Sequence, residues 1–135
     1  MQILAACLCD HAADYQGKLC ILGAFDTIIA AKVPAVHPTC AIALRFLSRA
    51  GDEGPHQIRL ALIDQDGRDL LPSGAIKIDF TLPMPPDPTF FSSHNVVLNL
   101  QGITLPAYAI YSFDIYFDRE IAVRVPLQVI QPRKP

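Results

Sequence analysis

Polar and apolar residues change places at every second position through much of this chain, and that period leaves few folds open. Residues two apart share a face only on an extended strand, so the alternation predicts strands with one side on a core. In "AIKIDFTL", Ile76, Ile78, Phe80 and Leu82 point one way, and Lys77, Asp79 and Thr81 the other. "SFDIYFD" aligns Phe113, Ile115 and Phe117, and "EIAVRVPLQV" aligns Ile121, Val123, Val125, Leu127 and Val129. These two read as a hairpin, and because Asp118-Arg119 lacks glycine, a longer or bulged turn is expected there. Cys40, Ile42, Leu44 and Phe46 alternate, "RAGDEGPH" interrupts, and Ile58, Leu60 and Leu62 resume, which predicts a second hairpin with a longer loop. Val96, Leu98 and Leu100 mark a further strand.

The N-terminal segments lack the alternation. "ILAACLC" and "KLCILGAF" are apolar on both faces, as central or covered strands tend to be, and Cys7 and Cys9 share one side of the first. Packing alone accounts for those thiols. No stretch carries apolar residues at helical spacing for three turns, so helix is expected only as a turn near Asp10 to Tyr15. "DQDG" at Asp64 to Gly67 and "PSG" at Pro72 to Gly74 are turn signals, and Pro126 marks a sheet edge, a bulge or a switch between sheets. The expected fold is one all-β domain over residues 1–135. It is an antiparallel β-sandwich of about seven to nine strands, immunoglobulin-like in arrangement, with a jelly roll as the alternative.

Composition closes several function classes. Eleven basic and thirteen acidic residues give a net charge of −2, which supplies no field for phosphates, so no nucleic-acid partner is expected. No apolar run reaches membrane-helix length, so no membrane partner is expected either. Leu4-Ala5-Ala6-Cys7 matches the short pattern before a lipid-modified cysteine, but only Met1 to Ala6 precede it and none is basic. The expected compartment is the cytoplasm, where Cys7, Cys9, Cys20 and Cys40 stay reduced.

Chemistry is sparse. The cysteines lack the paired spacing of a zinc site, and thiols in apolar strands resist ionisation, so neither a metal, a cofactor nor a cysteine nucleophile with His11, His37 or His94 as base is expected. Asp64, Asp66 and Asp69 around Gly67 resemble the opening of a calcium loop, yet Gly74-Ala75 stands where the closing carboxylate belongs, leaving them weak loop candidates. Ser92-Ser93-His94 forms no nucleophile elbow. No catalytic residue is assigned, and the chain is read as no enzyme.

Five stretches together, "LCDHA", "GKLCILGAFDTI", "PAVHP", "LIDQDGRDLLP" and "YSFDIYFDREIAVRVPLQV", resemble a bacterial family of small proteins grouped as a domain of unknown function, over Leu4 to Val129. The resemblance implies a cytoplasmic all-β sandwich and no known activity. The chain departs from that pattern at Asp118-Arg119, where Asp-Gly is expected, and at Cys20, where a polar residue is more usual.

The segment "LPMPPDPTFF", Leu82 to Phe91, is extended by its prolines and suits a connection between sheets. Met84, Phe90 and Phe91 make it an apolar ridge, the candidate interaction surface. The functional expectation is a non-enzymatic binding or assembly module that uses a sheet edge or this loop to hold a second copy or another protein. The alternative is a small-ligand, carbohydrate or calcium-binding sandwich working through Asp64, Asp66, Tyr108 and Tyr111.

Overall fold

The computed structural model describes residues 1–71 and 76–134; the expected Pro72 to Gly74 turn and Gly74-Ala75 lie outside the described residues. Among these residues nine strands follow one another: β1 Gln2–Tyr15, β2 Lys18–Ala24, β3 Thr27–Ile29, β4 Ala35–Ser48, β5 Gly54–Ile63, β6 Lys77–Leu82, β7 Ser92–Leu105, β8 Ala109–Phe117 and β9 Glu120–Ile130. No helix occurs among the described residues. The expected turn of helix near Asp10 to Tyr15 is strand instead, because that stretch pairs with β2 from His11↔Leu22 to Tyr15↔Lys18.

Two sheets face each other across one core. One has the order β2-β1-β4-β7 and the other β3-β9-β8-β5-β6. The alternating residues meet between them: Ile42, Leu44 and Phe46 from β4, Leu98 and Leu100 from β7, Ile58, Leu60 and Leu62 from β5, and Phe113 and Ile115 from β8. Each such side chain contributes roughly 1.5–3 kcal/mol on leaving water. Phe46 ties the layers together, packing edge-on against Phe117 at 5.0 Å between ring centroids and tilted against Phe80 at 6.1 Å.

Sheet membership corrects three expectations. The strands β4 and β5 do not form a hairpin: β4 belongs to the first sheet and β5 to the second, and "RAGDE" carries the chain across the core. Alternation shows which face of a strand is apolar, and it is silent on the partner. Nor is every pairing antiparallel, since β3 runs parallel to β9 from Thr27↔Gln128 to Ile29↔Ile130. The β8-β9 turn is the tight two-residue kind, with Phe117 opposite Glu120, and the irregularity sits inside the hairpin between Ile115 and Tyr116. Asp118 takes the positive φ of 57° that glycine was expected to supply. Its carboxylate holds that conformation, accepting from the Gln57 N–H at 3.0 Å and meeting His56 Nδ1 at 2.9 Å. Pro126 falls as expected at an open edge, because β3 covers β9 only from Gln128 onward.

The first strand carries the largest surprise. It pairs with β4 from Gln2↔Leu47 to Cys9↔Ala41, then continues with β2 alone. A straight continuation would put Gly17 about 40 Å from the point opposite Arg45, at about 3.3 Å per residue. Arg45 Nη1 instead donates to the Gly17 carbonyl at 3.0 Å. The β1-β2 hairpin therefore doubles back as an arm over the outer face of the first sheet. Asn95 Nδ2 donates to Asp14 Oδ2 at 3.0 Å, and Arg45 Nη1 also donates to Asn95 Oδ1 at 2.7 Å, which pins the arm down. Ala12 and Leu19 press onto Cys9, Ala41 and Ala43 beneath it.

This geometry corrects the reading of β2 as a covered strand. It is an edge strand with Ile21 and Leu22 exposed. It also relocates the thiols: Cys9 is fully buried, but under the arm and apart from the main core, while Cys7 is half-buried beside it.

A phase change occurs further along. Buried residues fall on even positions through Leu98 and Leu100 of β7, then on odd ones at Ile103 and Leu105. Gly102, at φ 61°, makes the switch where the register passes Pro38 between His37↔Ile103 and Thr39↔Gln101.

Candidate functional site

The proline segment leaves the second sheet at buried Leu82 and enters the first at Ser92, which makes it the connection between sheets. Proline cannot donate to a ladder, so a run of prolines prevents a strand here and leaves local turns to satisfy the backbone. The Thr89 N–H donates to the Pro86 carbonyl at 2.8 Å and its hydroxyl donates to the same oxygen. The Asp87-Pro88 peptide inside that turn is cis. The turn then presents Phe90 to solvent with 91% of its surface exposed, flanked by Phe91 at 48%, while Met84 is 59% exposed. An unburied phenyl ring forgoes about 1.5–3 kcal/mol of transfer free energy that contact with another apolar surface would recover.

Two of the three acidic loop candidates, Asp64 and Asp69, are built into their own turn. Asp64 Oδ1 accepts from the N–H groups of Asp66 and Arg68, both at 2.9 Å. Asp69 Oδ1 accepts from the N–H groups of Leu62 at 3.1 Å and Leu71 at 3.0 Å. Carboxylates holding backbone donors in this way are turn architecture. Among the described residues no group of three His, Cys, Asp or Glu side chains converges as a metal site.

The tyrosines are equally committed. Tyr111 is buried, its hydroxyl donating to the Ala107 carbonyl at 2.7 Å and accepting from the Ala107 N–H at 3.0 Å. Tyr108 donates to the Ala30 carbonyl at 2.9 Å. Neither presents an open aromatic face with a free hydroxyl.

Of the candidate bases, His11 lies exposed on β1, and the other two are engaged elsewhere. His94 Nε2 lies 2.8 Å from the Ser48 hydroxyl and its ring packs on Phe46 at 5.0 Å, but Ser48 is buried and cannot meet a substrate. Burial holds His94 below the ordinary histidine pKa. His37 packs on Phe25 at 5.4 Å. Burial, reinforced by neighbouring Cys7, pushes the Cys9 thiol up to about 11, and burial does the same for Cys40. Neither is a nucleophile near neutral pH.

Two features escaped the sequence reading. His56 Nε2 lies 2.6 Å from the Asp52 carbonyl while Nδ1 meets Asp118, so the imidazole bridges the β4-β5 connection and the β8-β9 turn. The bonds to Asp118 and then Asp52 raise its pKa. No local signal links residues so far apart. The second is the outer edge of β7, which was legible: Ser92 to Leu105 contains no Asp, Glu, Lys, Arg or Pro.

These features define a small all-β chain of two facing sheets, with an exposed aromatic loop at one crossing between them. The chain belongs to DUF6941, a family of unknown function that matches residues 4–130. No curated protein and no solved structure matches it. No helix among the described residues is long and apolar enough to cross a membrane.

Proposed function

We propose that this chain is a non-enzymatic protein-binding module whose contact surface is the β6-β7 loop, with Met84, Phe90 and Phe91 as its apolar anchors. The exposure of Phe90 on a turn closed by Pro86 and Thr89 carries this reading. Aromatic side chains are enriched among the few residues that dominate interface energies, and an internally bonded turn has little freedom left to lose on binding. A net charge of −2 supports a protein partner over nucleic acid, and the four free cysteines suit a reducing compartment such as the cytoplasm.

Immunoglobulin-type connectivity is the architecture we assign to the module. Three features support it over a jelly roll. The link from β4 to β5 crosses the core, β3 runs parallel to β9, and Tyr111 near the start of β8 bonds back to the backbone of Ala107. The last resembles the tyrosine corner of such domains.

Native mass spectrometry on gently purified protein tests the functional reading. A multiple of the chain mass, or an added protein mass, that disappears in Phe90→Asp/Phe91→Asp is the expected result. Assembly unchanged in that variant, or a bare monomer carrying a small-molecule mass, would overturn it.

A further inference from the structure

The geometry points to a second copy of this chain as the partner, held by antiparallel pairing of the two β7 edges about a two-fold axis at Val97. This inference rests on the reading of the chain as a protein-binding module and names its partner.

An open sheet edge invites strand addition, and proteins blunt such edges by shortness, charge, proline or twist. The other edges here are all blunted. Strand β3 has three residues, and β6 has six with Lys77 and Asp79 facing out. Strand β2 has seven, with Lys18 and the positive-φ Gly23. The stretch of β9 beyond β3 carries Glu120, Arg124 and Pro126. Strand β7 is the exception, with fourteen residues and neither charge nor proline. Among the described residues its backbone pairs only with β4. Gly102 bends the edge, so the regular part runs from Ser92 to Gln101.

Two such edges complement each other. Directly opposed residues in an antiparallel pair share a face, so a two-fold axis must pass through a residue matched with itself. With Val97 on the axis, the outer face pairs Ser93 with Gln101 and Asn95 with Asn99, polar with polar. The inner face pairs Val96 with Leu98, extending the apolar layer. No like charges meet. Pairing from Ser93 to Gln101 forms about nine inter-chain backbone bonds, comparable with the roughly ten direct hydrogen bonds of a typical interface. The aromatic loop enters β7 at Ser92, so Phe90 and Phe91 stand beside one end of this contact.

Light scattering during size exclusion, run over a concentration series, tests the register through two exposed positions. Wild type is expected to run as a dimer of twice 14.8 kDa. Ser93→Lys/Gln101→Lys sets like charges opposite each other at both ends and should weaken the dimer by about tenfold or more. Ser93→Glu/Gln101→Lys sets opposite charges in the same places and should restore it. A monomeric wild type, or a dimer indifferent to both pairs, would overturn the pairing. Phe90→Asp/Phe91→Asp separates the two readings. Loss of the dimer there but not in the double-lysine variant leaves the loop as the contact and removes the edge; the reverse pattern removes the loop and keeps the edge.

Discussion

Arg45 reaches across from β4 to donate to the carbonyl of Gly17 at the tip of the β1-β2 arm, 3.0 Å away and 28 positions earlier in the chain. That bond, shared with Asn95, closes the arm over the small residues Ala41 and Ala43 and over the Cys9 thiol. Polar contacts at its tip and apolar contacts beneath it hold the arm in place.

Thiol labelling reads out its closure. With a maleimide at pH 7, exposed Cys20 should react first and Cys40, inside the main core, last. Arg45→Ala removes two hydrogen bonds worth about 1 kcal/mol each and should speed labelling of Cys9 by roughly thirtyfold while leaving Cys40 unchanged. An unaltered Cys9 rate would mean that apolar contacts alone hold the arm.

Gly23 sits where β1 turns away from β4. Its φ of 73° belongs to the left-handed region, and a Cβ there would stand 2.6 Å from Asp10 Oδ2. The Gly23→Ala variant should lose about 1–2 kcal/mol from the conformation alone, with a further loss if Asp10 cannot rotate aside. Denaturant unfolding measures both parts, since Asp10→Ala in the Gly23→Ala background should recover only the second. A fully stable Gly23→Ala protein would show that the bend does not need the glycine.

The His56-Asp118 pair gives the β8-β9 turn a pH dependence. The folded pKa of His56 lies above its ordinary 6.5, so its contribution is complete below about 6.5 and fades as pH rises through the folded value. Asp118 is shifted below its ordinary 3.8, first by His56 and then by the Gln57 N–H, so its contribution holds above about 3.8 and is lost as pH falls through the lowered value. The difference in Tm between wild type and His56→Gln should therefore peak between about pH 4 and 6.5 and shrink toward pH 8. His94 titrates in the opposite sense but is common to both proteins. A difference constant from pH 4 to 8 would show that the ion pair contributes no stability.

Period-two reading located the inward rows of β5, β6 and β8 residue by residue, because each puts its large apolar side chains on the core face and mostly polar or small ones on the other. It failed where a strand has cover on both sides or on neither in the ordinary way. The apolar doubling of "ILAACLC" came from the arm above it, and that of "KLCILGAF" left Ile21 and Leu22 in solvent. The β4-β5 error has a different cause: the spacing of Phe46 and Ile58 is the same for a hairpin and for a crossing between sheets. Among the site residues, Met84, Phe90 and Phe91 were legible as an apolar ridge on a proline segment that also suits a connection between sheets. The bond between His56 and Asp118 was not, since it depends on how two remote turns come to lie side by side.

The outer layer of the first sheet is thin where the arm crosses it, and the clearance is set by methyl groups. Ala41 and Ala43 act as shims of fixed thickness under Ala12 and Leu19. A branched residue at either place would prop the arm open from below and pull Gly17 out of reach of Arg45, however favourable that side chain was for an isolated strand. Tolerance to substitution on this face is thus governed by the height of the gap, and two of the smallest side chains in the protein determine whether the longest excursion of its first strand can close.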